Sequence, residues 1–271
     1  MVDMAASEAL FVRDGEWLIP SPLAEGPWAA GQLHGSPVAG LIARAVDRVS
    51  CPFPMRVAKV SLDLLQGVPM QPLSVAVEVV RQGARIQLLD VTIRDEARLL
   101  VRASVLRIRV NSDLEVPVAP APRAPRPPAE DECLSGEALA AAPAFFGAID
   151  YARTALSGEG DAVMVWTRLR VALVAGEEIS PLVRLAVAAD FTSGSAVPLD
   201  HRSWFFINPD LTIHVVREPV GEWIGVKARA DLAADGIGQG RSTIFDRLGS
   251  VARGQASMWI GPRPAADPAT S

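Results

Sequence analysis

"SPLVRLAVAADF", Ser180 to Phe191, and "SPVAGLIARAVD", Ser36 to Asp47, are the two stretches whose reading decides the fold. Each opens with Ser at a plausible N-cap and Pro at the first helical position, where its missing N–H costs nothing. Small and aliphatic residues then continue for about three helical turns. A helix that is apolar nearly all round is a buried one. In the second stretch Leu182, Leu185 and Ala189 recur at helical spacing, and Asp190 then closes the apolar run. Anions are disfavoured at a helix C-terminus, and a buried carboxylate is costly without partners. Asp190 therefore reads either as a sheltered functional carboxylate or as a helix-end carboxylate bonded to the "FTSG" turn that follows it.

The sequence that follows each stretch also corresponds. "AKVSLDLLQGVPMQPLSVAVEVV" begins at Ala58 and "NPDLTIHVVREPVGEWIGVKARADL" at Asn208. Both hold an alternating run, a Pro (Pro69, Pro219), a short turn and a second alternating run, the pattern of half-buried strands. Further on, Thr92, Ile93 and Asp95 match Thr243, Ile244 and Asp246, each set before a turn between two strands. Additional strands are expected over 10–19, 145–154 and 163–171. The chain thus reads as a duplication: in each half, one long buried helix followed by three or four antiparallel strands. A sheet wrapped around an apolar helix buries both.

"VPVAPAPRAPRPPAEDE" marks the boundary, with six prolines from Pro117 to Pro128. Such a segment favours extended polyproline conformations and sustains neither a helix nor a central strand. It divides the chain into a unit over 1–115, a linker over 116–130 and a unit over 131–271.

Composition narrows the function. The 271 residues are 49% hydrophobic and carry a net charge of −5. Nucleic acid is not expected as a partner, because phosphate binding needs a basic face. Two cysteines without CxxC spacing and three scattered histidines give no expectation of a metal or disulfide framework. No apolar run approaches the roughly 18–20 residues of a membrane span, and the first residues lack a signal-peptide core. A reducing cytoplasm is the expected setting.

These segments resemble the hotdog fold, and their tandem arrangement resembles the TesB-like, or acyl-CoA thioesterase II, double-hotdog family. The residues that carry the resemblance are "GPWAAGQLHGSPVAGLIARAV" from Gly26, then "SPLVRLAVAADFTSG", "FFINPDLTIHV" and "VARGQAS". It implies an α+β double hotdog of two antiparallel sheets, each wrapped around a long central helix. It implies hydrolysis of acyl-CoA thioesters, in lipid metabolism, with no cofactor. It also implies a water held by an Asp on the second helix, a hydroxyl or amide side chain, and a Gln on a late strand. Carried over by motif, the Asp is Asp190 and the Gln is Gln255. The third position falls on Asn208 or Thr212, because "NPD" stands where the family usually shows a Thr two residues before an Asp.

The chemistry fits those residue types. Thioester hydrolysis needs a base for the attacking water and a donor for the developing oxyanion. A sheltered carboxylate can be the base, and a Gln amide can donate to a water. On the substrate side, "LHGS" precedes the first helix, whose N-terminal N–H groups suit an oxyanion or carbonyl. Gly35, which has no Cβ to obstruct approach, His34 and Trp28 are expected to bind substrate, with His34 read as a capping or packing residue sooner than a catalyst and Trp28 as packing or acyl-pocket wall. His201 and His214 receive no catalytic role. Exposed sheet edges lead us to expect a homo-oligomer. Two other readings stand beside hydrolysis: a hotdog enoyl-CoA hydratase or dehydratase, and a non-catalytic acyl-CoA-binding double hotdog.

Overall fold

A computed structural model describes residues 9–117, 125–156 and 161–263. Its strands are β1 (Ala9–Asp14), β2 (Trp17–Pro20), β3 (Met55–Leu64), β4 (Ser74–Gln82), β5 (Ile86–Arg94), β6 (Leu99–Arg109) and β7 (Ile149–Ala155). The series continues with β8 (Val163–Leu169), β9 (Ala172–Val174), β10 (Trp204–Ile207), β11 (Asp210–Val215), β12 (Ile224–Leu232), β13 (Ile237–Asp246) and β14 (Gly249–Pro262). The helices are α1 (Gly35–Asp47), the short α2 (Gly136–Ala140) and α3 (Pro181–Ala189).

The two expected sheets are joined. An 11-stranded sheet runs in the order β4-β5-β6-β3-β11-β14-β13-β12-β8-β7, with β10 also on β14. The seam is the antiparallel pairing of β3 with β11, where Leu62 faces Leu211 and Val60 faces Ile213. All four of these residues are buried, so the seam is held by apolar pairs on its inner face as well as by its ladder. A smaller sheet, β2-β1-β9, ties the first strand of the chain to the second half through a parallel pairing. One hydrophobic core therefore spans both halves, including Leu41 and Ile42 of α1, Leu185 of α3, and Leu89, Leu211 and Ile244 of the sheet.

Three local expectations change. The segment 10–19 folds as a hairpin, because Gly15 and Glu16 make a turn inside it. The segment 145–154 starts as a 3₁₀ turn at Ala144–Ala148 and becomes a strand only at Ile149. That turn brings Phe145 back to the first half, where its N–H donates to the Glu25 carbonyl. The helices also differ: α1 has 13 residues, whereas α3 has 9 and gives way to a 3₁₀ turn at Asp190–Thr192. Of the linker, 116–117 and 125–129 form no helix or strand and Glu130 opens a 3₁₀ turn; 118–124, and the tail after Arg263, lie outside the described residues.

The two halves make matching contacts. α1 and α3 pack against each other, the N-terminus of each meeting the C-terminal end of its partner. Ser36 Oγ donates to Asp190 Oδ2 at 3.1 Å at one end, and Ser180 Oγ donates to Asp47 Oδ2 at the other. The turns match as well. Asp95, between β5 and β6, accepts N–H bonds from Ala97 and Arg98 and is paired with the Arg98 guanidinium. Asp246, between β13 and β14, accepts from Val220 and Leu248 and is paired with Arg217.

Candidate active site

Asp190 is 7% exposed and sits at the C-terminal end of α3. Its surroundings come from the other half of the chain. Oδ2 accepts the Ser36 hydroxyl at 3.1 Å and lies 3.2 Å from His34 Nδ1. No donor among the described residues reaches Oδ1. That oxygen lies against the Gly35 backbone: a Cβ built on Gly35 would stand 2.5 Å from Oδ1 and 2.8 Å from Oδ2. Only a residue without a side chain lets the carboxylate come this close to the first turn of α1.

His34 is the N-cap of α1. Its backbone is extended (φ −66°, ψ 147°), and Nδ1 accepts the Ser36 N–H at 3.1 Å. Only 8% of the residue is exposed. The ring stacks on Phe145 with centroids 4.5 Å apart and planes inclined by 25°. Phe146 meets it edge-on at 6.4 Å, and Phe191 lies tilted at 5.8 Å. Tyr151 completes this wall through contacts with Phe146 and Phe191, and burial pushes its phenol up to about 12. Of the first N–H groups of α1, that of Ser36 is taken by His34, while that of Gly35 has no acceptor among the described residues.

The structure thus brings together Asp190, Gly35 and His34, and adds Ser36. It does not bring Gln255 and Thr212 to them. Along β14 the buried positions are Gly254, Ala256 and Met258, while Arg253, Gln255, Ser257 and Trp259 alternate with them and are exposed. Gly254 faces the segment after Asp190, since a Cβ there would lie 2.5 Å from Thr192 Oγ1. Gln255 therefore points to the opposite, outer face of the sheet, as strand geometry dictates. There it lines a depression of about 550 Å³ with Lys227, Arg229, Arg241 and Arg253. Thr212 shares its rung, directly opposite Gln255 and bonded through its hydroxyl to Ser61. Asp190 lies on the inner side of the sheet, and these two side chains share a rung of β11 and β14 that faces the other way. Asn208 is buried, with its amide directed at the Asp210 carbonyl at 3.5 Å. Trp28 packs edge-on against Phe206 at 5.7 Å, within a cluster that includes Val197 and Ile260.

Sequence reasoning passed over Ser36 as anything but a capping residue. The Ser-Pro step does start α1, but the cap is His34. Sequence offered one usable signal: "HGS" before α1 differs from "EIS" before α3 at the two positions that touch or approach the carboxylate. Among the described residues no cluster of three or more His, Cys, Asp or Glu could hold a metal ion, and no helix is long and apolar enough to cross a membrane.

Two family models match this chain. A family model described as acyl-CoA thioesterase N-terminal domain matches residues 24–108, and one described as acyl-CoA thioesterase C-terminal domain matches 118–260. A search of the curated proteins finds no match. Among solved structures, the tesB protein MAP1729c of Mycobacterium avium subsp. paratuberculosis superposes with a TM-score of 0.68 at 17% identity, over 96% of this chain and 98% of that one. An acyl-CoA thioesterase II, TesB2, from Mycobacterium marinum gives 0.63 at 19% identity, over 91% and 98%. A hot dog fold protein from Alicyclobacillus acidocaldarius gives 0.69 at 11% identity, over 98% and 100%.

Proposed function

The chain belongs to the acyl-CoA thioesterase family, and from that membership we propose that it hydrolyses acyl-CoA thioesters to free acid and coenzyme A with a water activated by Asp190. The observation that carries this reading is the carboxylate itself. It is buried at the end of a helix where an anion is disfavoured, one oxygen is anchored by Ser36, and the other lies against Gly35 with no donor among the described residues. Departures from local rules of this kind concentrate at functional sites.

In this reading Oδ1 takes a proton from water as the water oxygen bonds to the thioester carbon. The carbonyl oxygen becomes an oxyanion beside the N-terminus of α1, where the Gly35 N–H and the helix dipole favour negative charge. Collapse breaks the C–S bond, and the proton on Asp190 passes to the departing thiolate. Ser36 holds the carboxylate in one rotamer throughout. The aromatic wall of Phe145, Phe146 and Phe191 shields the site from bulk solvent and offers an apolar surface to the acyl group.

A panel of acyl-CoA thioesters with thiol-release detection, run on the wild type and Asp190→Asn, tests the proposal. Loss of turnover with substrate binding retained is expected, and equal rates would remove Asp190 as the base. A second reading, addition of water to an enoyl-CoA, draws on the His34–Asp190 contact at 3.2 Å. Loss of enoyl absorbance with no thiol released would favour it.

A further inference from the structure

We propose that His34 acts as a neutral hydrogen-bond donor, presenting Nε2–H to the carbonyl oxygen of the thioester whose hydrolysis Asp190 initiates. The inference rests on the hydrolytic reading for its substrate and on the geometry of α1 for its donor. A neutral imidazole accepts at one ring nitrogen and donates at the other, and the bond made by the first decides which is which. Here the first is decided: Nδ1 accepts the Ser36 N–H at 3.1 Å, as the cap of α1. The proton then belongs on Nε2.

The close approach of Asp190 supports the same assignment. His34 Nδ1 and Asp190 Oδ2 are 3.2 Å apart, too near for two bare acceptors. Ser36 resolves the conflict by giving a proton to each, its N–H to Nδ1 and its Oγ–H to Oδ2. Neither acceptor needs to take the other's proton. The bond at Nδ1 leaves the ring its Nε2 proton, and the bond at Oδ2 leaves Oδ1 of Asp190 unengaged.

The far side of the ring has no such partner. No acceptor for Nε2–H is found among the described residues, although only 10% of the side chain is exposed. Nε2 is not among the buried side-chain nitrogens and oxygens left without a partner, so it keeps an opening through which a carbonyl oxygen can reach it. The ring is held in this orientation by Phe145, which stacks on it, and by Phe146 and Phe191, which flank it. A rigid donor aimed before the substrate arrives is what oxyanion stabilisation requires. It also supplies the amide-like donor that the outward-facing Gln255 does not.

Two substitutions in the full chain separate this role from its alternatives. Asn is among the best N-cap residues, so His34→Asn keeps the helix start while its amide stops short of the Nε2 position. Gln reaches that position with a donor that cannot titrate. We expect His34→Asn to lower kcat about 10²–10³-fold, with KM changed less than about threefold, and His34→Gln to recover at least about tenfold over His34→Asn. Thermal unfolding checks that both are folded. Wild-type kcat in His34→Asn overturns the proposal, as does His34→Gln being no better than His34→Asn, which would make the ring a proton carrier. A readout without turnover is the ¹⁵N imidazole spectrum, simple in a chain with three histidines. It should show neutral His34 with its proton on Nε2, and a proton on Nδ1 would overturn the assignment. An intact Nε2–H tautomer in a wild type that cleaves no acyl-CoA strikes down the hydrolytic reading and leaves the donor standing.

Discussion

The two ends of the α1–α3 pair share one contact and differ in what surrounds it. At both, the Ser of a Ser-Pro step reaches across to a carboxylate at the end of the opposite helix: Ser36 to Asp190, and Ser180 to Asp47. At the Ser180 end the residues before the Ser are Glu178 and Ile179, Asp47 is exposed, and Ser180 caps its own helix by accepting the Val183 N–H. At the Ser36 end they are His34 and Gly35, Asp190 is buried, and capping has passed to His34. Transferring the cap to the His frees the Ser hydroxyl for the carboxylate, and removing a side chain at Gly35 admits the carboxylate to the helix N-terminus. One end keeps an exposed contact, and the other, in the proposed reading, is the one opened for chemistry.

Gly35→Ile, which copies the Ser180 end onto the site, should have the largest effect. The new side chain meets both oxygens of Asp190, so thioester turnover should fall by at least about 100-fold, equivalent to about 2.7 kcal/mol of barrier. The reverse change, Ile179→Gly, should leave turnover intact. Retained activity in Gly35→Ile would break the contrast between the ends.

The paired turns sharpen the comparison in stability. Burial alone would raise the Asp246 carboxyl, but Arg217 and the N–H groups of Val220 and Leu248 outweigh it and hold it below the usual carboxylate range. Asp95 is held low chiefly by Arg98, whose side chain is more than half exposed. Because Asp246 is wholly buried, Asp246→Asn should cost about 3 kcal/mol and Asp95→Asn clearly less, read by urea unfolding. A lowered folded-state pKa means the stabilisation is present above the carboxylate's unfolded value, near pH 3.9, and is lost as pH falls through the folded value. The gap between Asp246→Asn and wild type should therefore be full at neutral pH and shrink only below about pH 4.

Smaller effects distinguish the two serines. Ser180→Ala removes a cap and should cost about 1 kcal/mol of stability with turnover unchanged. Ser36→Ala should leave α1 capped by His34 and show its loss in kcat, by about tenfold. Smallest of all, Gln255→Ala and Thr212→Val should change kcat by less than about twofold, because both lie on the far side of the sheet. A large loss in either would restore the water site expected from the sequence.

Much of this frame was legible in the sequence because it is local. Ser-Pro steps, apolar helical runs and alternating strands announce themselves within a dozen residues, and Asp190 stood out against its own helix. The partners of Asp190 did not, since Ser36 is 154 residues away. Gln255 misled because the motif was matched without its parity. Arg253, Gln255 and Ser257 alternate with Gly254, Ala256 and Met258, and on a strand that places the polar set together on the wet face. The joining of two sheets at β3 and β11 was hidden for another reason: edge pairing between distant strands leaves no mark beyond the apolar residues any strand would have.

The most direct test of the central claim measures thiol release by Asp190→Asn and Asp47→Asn side by side on one acyl-CoA, with binding followed separately. The account predicts a fall of about 10²–10⁴-fold for Asp190→Asn with the substrate still bound, and a rate within about twofold of wild type for Asp47→Asn. Equal rates for the two variants would show that the two helix ends do not differ in function, and would contradict it.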